Sequence, residues 1–162
     1  MKFISAIVYF SLLFSAGLFS SRLFAVAEPV WGSAQSVNTQ YSPSKVVYDV
    51  KSGDTKDMSA MLSRLGLLYK LQGSDMLDSS IVVVIHGDAI PFFAINRLSR
   101  HKNLMYRAHS LTVGSSIEFR MCSAAAKLLN YEAQDIHGFV KMVPMADAEI
   151  VRLQHDGYAY MH

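Results

Sequence analysis

Five consecutive β-branched residues, Ile81-Val82-Val83-Val84-Ile85, constrain this chain more than any other stretch. Such a run leaves neither face of a strand wet, which is the pattern of a strand buried on both sides of a parallel sheet. Lys45 to Val50 (KVVYDV) reads as a second strand, β-branched and aromatic. Between them, Met58, Met61, Leu62, Leu65, Leu68 and Leu71 recur at helical spacing, with Ser52-Gly53-Asp54 as the turn before and Gly73 as the stop. Ser116 to Met121 alternates Ile117, Phe119 and Met121 with Glu118 and Arg120, so this strand has one wetter face. A helix-forming stretch follows from Ser123 to Leu129. A short strand at Val140 to Val143 leads to a helix around Asp147 to Asp156, closed by Gly157, and Tyr158 to Met161 adds a last strand. Residues 89 to 113 are the least periodic; Pro91 to Leu98 and Leu104 to Leu111 each suit a helix. Strands alternating with helices predict an α/β fold, a mostly parallel sheet with helices on both faces.

The N-terminus reads as an address rather than as part of this fold. Lys2 is the only charge before a long apolar run, Phe3 to Phe19, and Ala25-Val26-Ala27 offers the small residues that a signal peptidase accommodates. Residues 1–27 are therefore expected to be a cleaved signal peptide, placing the mature chain in the periplasm or outside the cell. The alternative is an uncleaved anchor, since the run approaches the roughly 20 residues a bilayer needs. No cysteine lies at the cut, which argues against a lipid anchor. Residues 28–44, rich in Ser, Gln, Asn and Pro, read as a flexible arm, and 45–162 as a single domain. The leader holds two of the 15 basic residues and none of the 13 acidic ones, so the remainder is balanced in charge and does not resemble a nucleic-acid binder. Once the leader is removed, no stable membrane insertion is expected.

Cys122 is the only cysteine. It is unpaired in a chain expected to be exported, where cysteines are usually oxidised in pairs. It stands where a strand hands over to a helix, and a helix N-terminus stabilises a thiolate. In an open α/β sheet the carboxyl ends of the strands are also where ligands bind. The competing reading is a small buried hydrophobe, as most free cysteines are. His86 ends the Ile81–Ile85 strand, so if the two strands are neighbours, His86 and Cys122 share one edge and the imidazole can act on the thiol. Asp88 is a candidate to orient that ring; otherwise His86 merely caps its own loop. Arg97, Arg100, His101, Lys102 and Arg107 form a basic stretch suited to an anion or acidic partner, or simply to a solvated face or subunit contact. Glu118 and Arg120 are expected to pair with neighbours or with another subunit.

Several chemistries lack their residues. Neither the Walker pattern nor GxGxxG occurs, and the six histidines include no i, i+4 pair, so neither a phosphate loop nor a metal site is expected. A CxxC pair is absent. So is a rhodanese-like loop, which carries an Arg at the far end of six residues; here Lys127 is the fifth residue after Cys122.

Lys45-Val-Val-Tyr-Asp-Val, Val83-Val-Ile-His86-Gly87, Ile117-Glu-Phe-Arg-Met-Cys122 and the closing run Glu149 to Tyr160 together resemble the DsrE/DsrF-like family. The resemblance extends over about Lys45 to Met161. It implies a layered α/β fold similar to flavodoxin-like sheets, assembly into homo-oligomers, and, in some members, transfer of sulfane sulfur through a cysteine persulfide. Cys122 matches the sulfur-carrying position, and His86-Gly87 matches a pair frequent in exported members. Ser123-Ala124 and Met145-Ala146 depart from the small polar pairs common in the family at those places. The expected function is that of an exported sulfur carrier or transferase, with Cys122 and His86 as catalytic residues, an acceptor thiol protein as partner, and no cofactor. The alternative is a non-catalytic oligomeric protein that binds a small ligand or partner, with Cys122 incidental.

Overall fold

A computed structural model describes residues 31–32 and 34–162. The signal-peptide question, which falls on residues 1–27, therefore lies outside the described residues. Residues 34–44, most of the expected arm, carry no helix or strand. Among the described residues no helix is long and apolar enough to cross a membrane.

The chain runs β1 (Lys45–Val50), α1 (Thr55–Leu71), β2 (Ser80–Ile85), α2 (Leu98–Thr112), β3 (Ile117–Cys122), α3 (Ser123–Leu128), β4 (Val140–Val143), α4 (Ala146–His155) and β5 (Ala159–Met161). The strands lie in the order β4-β3-β2-β1-β5, and every pairing is parallel. Parallel neighbours need long crossovers, and each helix supplies one.

The alternation of side chains sorts the residues between two layers. Val46, Tyr48, Val50, Ile81, Val83, Ile85, Ile117, Phe119 and Met121 pack against α1 and α2. Val47, Val82, Val84 and Cys122 face the opposite way, onto Ala146, Ile150 and Leu153 of α4. The unbroken apolar run in β2 is thus needed because the central strand is covered on both sides. On β3 the same alternation turns Glu118 and Arg120 to the α4 face, where α4 lies over β1 and β2. Arg120 there bonds both Glu118 and Glu149, and Lys141 of β4 reaches Glu118. The partners expected for Glu118 and Arg120 are thus each other, Lys141 of β4 and Glu149 of α4.

Of the two helices expected in residues 89 to 113, Leu104 to Leu111 lies inside α2, whereas Pro91 to Leu98 does not form one. Gly87–Phe93 and Ile95–Arg97 form tight 3-10 turns, and only one α-helix follows, starting at Leu98. Pro91 contributes no backbone donor to a helix. Ala94 adopts an extended conformation and pairs with Ile136 in an isolated bridge, which breaks the run. Buried Ile90, Phe92 and Phe93 anchor the segment to the core despite its irregular backbone.

Candidate functional site

The carboxyl edge of the sheet gathers the sequence-predicted residues. Cys122 is at once the last residue of β3 and the N-cap of α3, with extended backbone angles. Its Sγ accepts the Ala125 amide hydrogen at 3.3 Å, satisfying one of the free donors that open any helix. The preceding amide, Ala124 N–H, donates to Pro144 O at 3.2 Å and ties the β3–α3 turn to the exit of β4. Cys122 itself is 4% exposed and packs with Val84, Ala125 and Ala146.

His86 continues β2 by one residue, and its N–H donates to Val50 O at 3.0 Å. The β2–β3 register ends with Ile85 beside Met121, so one further step brings His86 and Cys122 level on adjacent strands. Both side chains belong to the α4 face. Their hydrogen bonds nevertheless run to other partners. His86 Nε2 lies 2.6 Å from Asp49 Oδ1, whereas Cys122 engages Ala125. Gly87 then adopts φ +56°, a conformation L side chains rarely tolerate, and so turns the chain sharply away after His86.

Asp49 is the functional residue that sequence reasoning missed. It orients His86 in the place considered for Asp88, which is exposed. The signal was present: Asp49 is the one acidic residue in an otherwise apolar stretch of β1, and it points to the same face as Val47. Its second oxygen accepts the Tyr160 hydroxyl at 2.7 Å. Tyr160 pairs with Val47 in the β1–β5 register, and its long side chain leans two residues along the strand to reach Asp49. Burial of Asp49 opposes its ionisation, but the bonds from Tyr160 and His86 outweigh it and hold the carboxyl below its ordinary range. The carboxylate in turn raises the Tyr160 hydroxyl above its usual range, chiefly through the shared hydrogen bond.

The basic stretch divides by role. Arg107 bonds Ser59 Oγ and Ser63 Oγ, each at 2.9 Å, and so fastens α2 to α1. His101 sits at a kink with its ring edge-on to Phe92, 4.6 Å between centroids, and burial followed by the Arg100 and Arg97 charges lowers its pKa. At the carboxyl end of β1, a cavity of about 350 Å³ opens beside α1, lined by Tyr48, Lys51, Met58, Met61, Arg64 and His162. The β1 exit passes to α1 on one face while β5 arrives from α4 on the other. That is a topological switch point, where open sheets hold ligands.

The fold and this edge define a parallel α/β protein presenting one helix-capping cysteine and an Asp–His pair at its strand ends. The sequence profile of the DsrE/DsrF-like family matches residues 45–162, and the chain belongs to that family. Among solved structures it is similar to a protein of unknown function from Methanobacterium thermoautotrophicum, at 20% identity and a TM-score of 0.60, over 73% of this chain and 97% of that one. That likeness concerns the fold. Among curated proteins none matches.

Proposed function

We propose that this protein carries sulfane sulfur on Cys122. Membership of the DsrE/DsrF-like family suggests a sulfur-relay role, and the observation that carries the reading here is the Ala125 amide aimed at Cys122 Sγ. A sulfur nucleophile acts as its thiolate, and a backbone donor favours that form. The Cys122 thiolate attacks the outer sulfur of a persulfide or polysulfide; that S–S bond breaks and its electron pair leaves on the donor's inner sulfur. An acceptor thiolate repeats the step on Cys122–S–S⁻ and returns Cys122 to its thiolate. Sulfur moves without net oxidation, and no cofactor takes part.

With Cys122 4% exposed, the route needs the edge to open. Met145, the N-cap of α4, makes no side-chain capping bond, so the turn beside Ala146 is one place where that edge can open. Alkylation tests reactivity directly: Cys122 should react with iodoacetamide in the folded protein at neutral pH, and His86→Ala should slow it.

The burial of Cys122 favours one second reading, a non-catalytic binding protein. In it the cavity lined by Lys51, Met58 and Arg64 holds the ligand and Cys122 is packing alone. A Cys122 that alkylates only on unfolding supports this reading. On either reading the mature chain is exported and homo-oligomeric, the latter checked by light scattering at micromolar concentration.

A further inference from the structure

Tyr160, Asp49 and His86 form a continuous hydrogen-bonded line across β5, β1 and the end of β2. The direction of each bond follows from its middle member. An ionised carboxylate only accepts, so both neighbours must donate to Asp49. Tyr160 gives its hydroxyl proton to Oδ2, and His86 gives the proton on Nε2 to Oδ1. A neutral imidazole has one protonated nitrogen, which leaves the lone pair of His86 on Nδ1. Among the described residues no group donates a hydrogen bond to that atom, it is not one of the atoms sealed from solvent, and the side chain is 24% exposed.

We infer that Asp49 and Tyr160 are positioning residues that hold His86 as its Nε2-protonated tautomer, making Nδ1 a proton-accepting atom one strand from Cys122. Two donors occupy both carboxylate oxygens, so Asp49 has no free rotation with which to release the ring. Tyr160 arrives from the far side of the sheet through α4 and β5. The chain's last strand therefore sets the protonation geometry of the edge. What the base acts upon rests on the sulfur-carrier reading: Nδ1 takes the proton of an incoming thiol, whose sulfur then attacks the outer sulfur of the Cys122 persulfide. The S–S bond breaks, its electron pair stays on Cys122, and the proton passes from His86 to solvent. The state of the ring itself does not depend on that reading.

The test is ¹⁵N NMR on histidine-labelled protein at about pH 9, above the ordinary imidazole range, with His86 assigned by loss of its signals in His86→Gln. The wild type should show one fixed tautomer, Nδ1 bare and Nε2 protonated, with the Nε2 proton slow enough in exchange to observe. Asp49→Ala should move the two nitrogen shifts toward each other and lose that proton. Tyr160→Phe, which removes no buried charge and serves if Asp49→Ala unfolds, should keep the tautomer but speed exchange of the proton. In sulfur release to a small thiol, Asp49→Ala should be at least tenfold slower, a part of the roughly 10²–10⁴-fold that a general base supplies, because the base remains but is no longer held. A wild-type ring protonated on Nδ1, or a tautomer mixture that Asp49→Ala leaves unchanged, overturns the inference. A fixed ring in a protein that takes up no sulfur overturns the carrier reading alone.

Discussion

His86 Nε2 and Asp49 Oδ1 lie 2.6 Å apart on adjacent parallel strands, and the same carboxylate takes the Tyr160 hydroxyl at 2.7 Å. One acidic side chain thus pins the C-terminal strand to the edge that also carries Cys122. Removing the hydroxyl without changing the ring isolates that tie. Tyr160→Phe should lower stability by about 1 kcal/mol, less than the roughly 1.5–3 kcal/mol of a buried bond to a charged group because Tyr160 is partly in water. Urea unfolding followed by circular dichroism measures it. No change in midpoint would mean that water replaces the bond at no cost.

Acid should find the same groups. Glu118 is held below its ordinary range because bonds from Lys141 and Arg120 outweigh its burial, and Glu149 chiefly because Arg152 bonds it, with Arg120 adding to the effect. Asp49 is lowered as well. A carboxyl held low in the folded state contributes stability that is complete above its unfolded value and is lost as pH falls through the folded one. Burial also holds His101 and His137 below the ordinary imidazole range, so the folded chain resists their protonation and stability starts to fall below about pH 6.5. The melting temperature should therefore decline modestly from about pH 6.5 and fall steeply below about pH 4, the unfolded carboxylate range. A melting temperature that rises on acidification would contradict the assignment.

Arg120 holds two carboxylates together on the half-covered part of the sheet, bonded to Glu118 and Glu149 at once. Arg120→Ala leaves those acids facing each other and should cost on the order of 2 kcal/mol. Adding Glu149→Gln should recover part of the loss, because it removes the repulsion. A double variant no more stable than the single one would show that the pairing with Glu118 alone matters.

Much of this architecture was legible in the chain. The unbroken β2 run called for two covered faces, and α1/α2 on one side with α4 on the other provide them. The strand with a wetter face, read as Ser116 to Met121 and found at Ile117–Cys122, was readable from its alternation, and so was its handover to a helix at Cys122. Within residues 89 to 113 the helix at Leu104 to Leu111 was readable but Pro91 to Leu98 was not, because tertiary packing of Ile90, Phe92 and Phe93 overrides local propensity and the Ala94–Ile136 bridge joins residues far apart in sequence. The partner of His86 was hidden for the same reason. Asp88 was near in sequence, whereas Asp49 becomes a neighbour only through the parallel β1–β2 register.

Export makes its own prediction. Protein recovered from the periplasm should begin at Glu28, with the mass of residues 28–162. A full-length chain in the membrane fraction would replace the cleaved leader with an anchor.

The central claim is sulfur on Cys122, and intact-protein mass spectrometry tests it most directly. Folded wild-type protein incubated with polysulfide should gain the mass of a single sulfur atom, lose it to a reductant, and pass it to an added small thiol. Cys122→Ser should gain nothing under the same conditions. A folded wild type that takes up no sulfur, or a Cys122→Ser variant that takes up as much, would contradict the account.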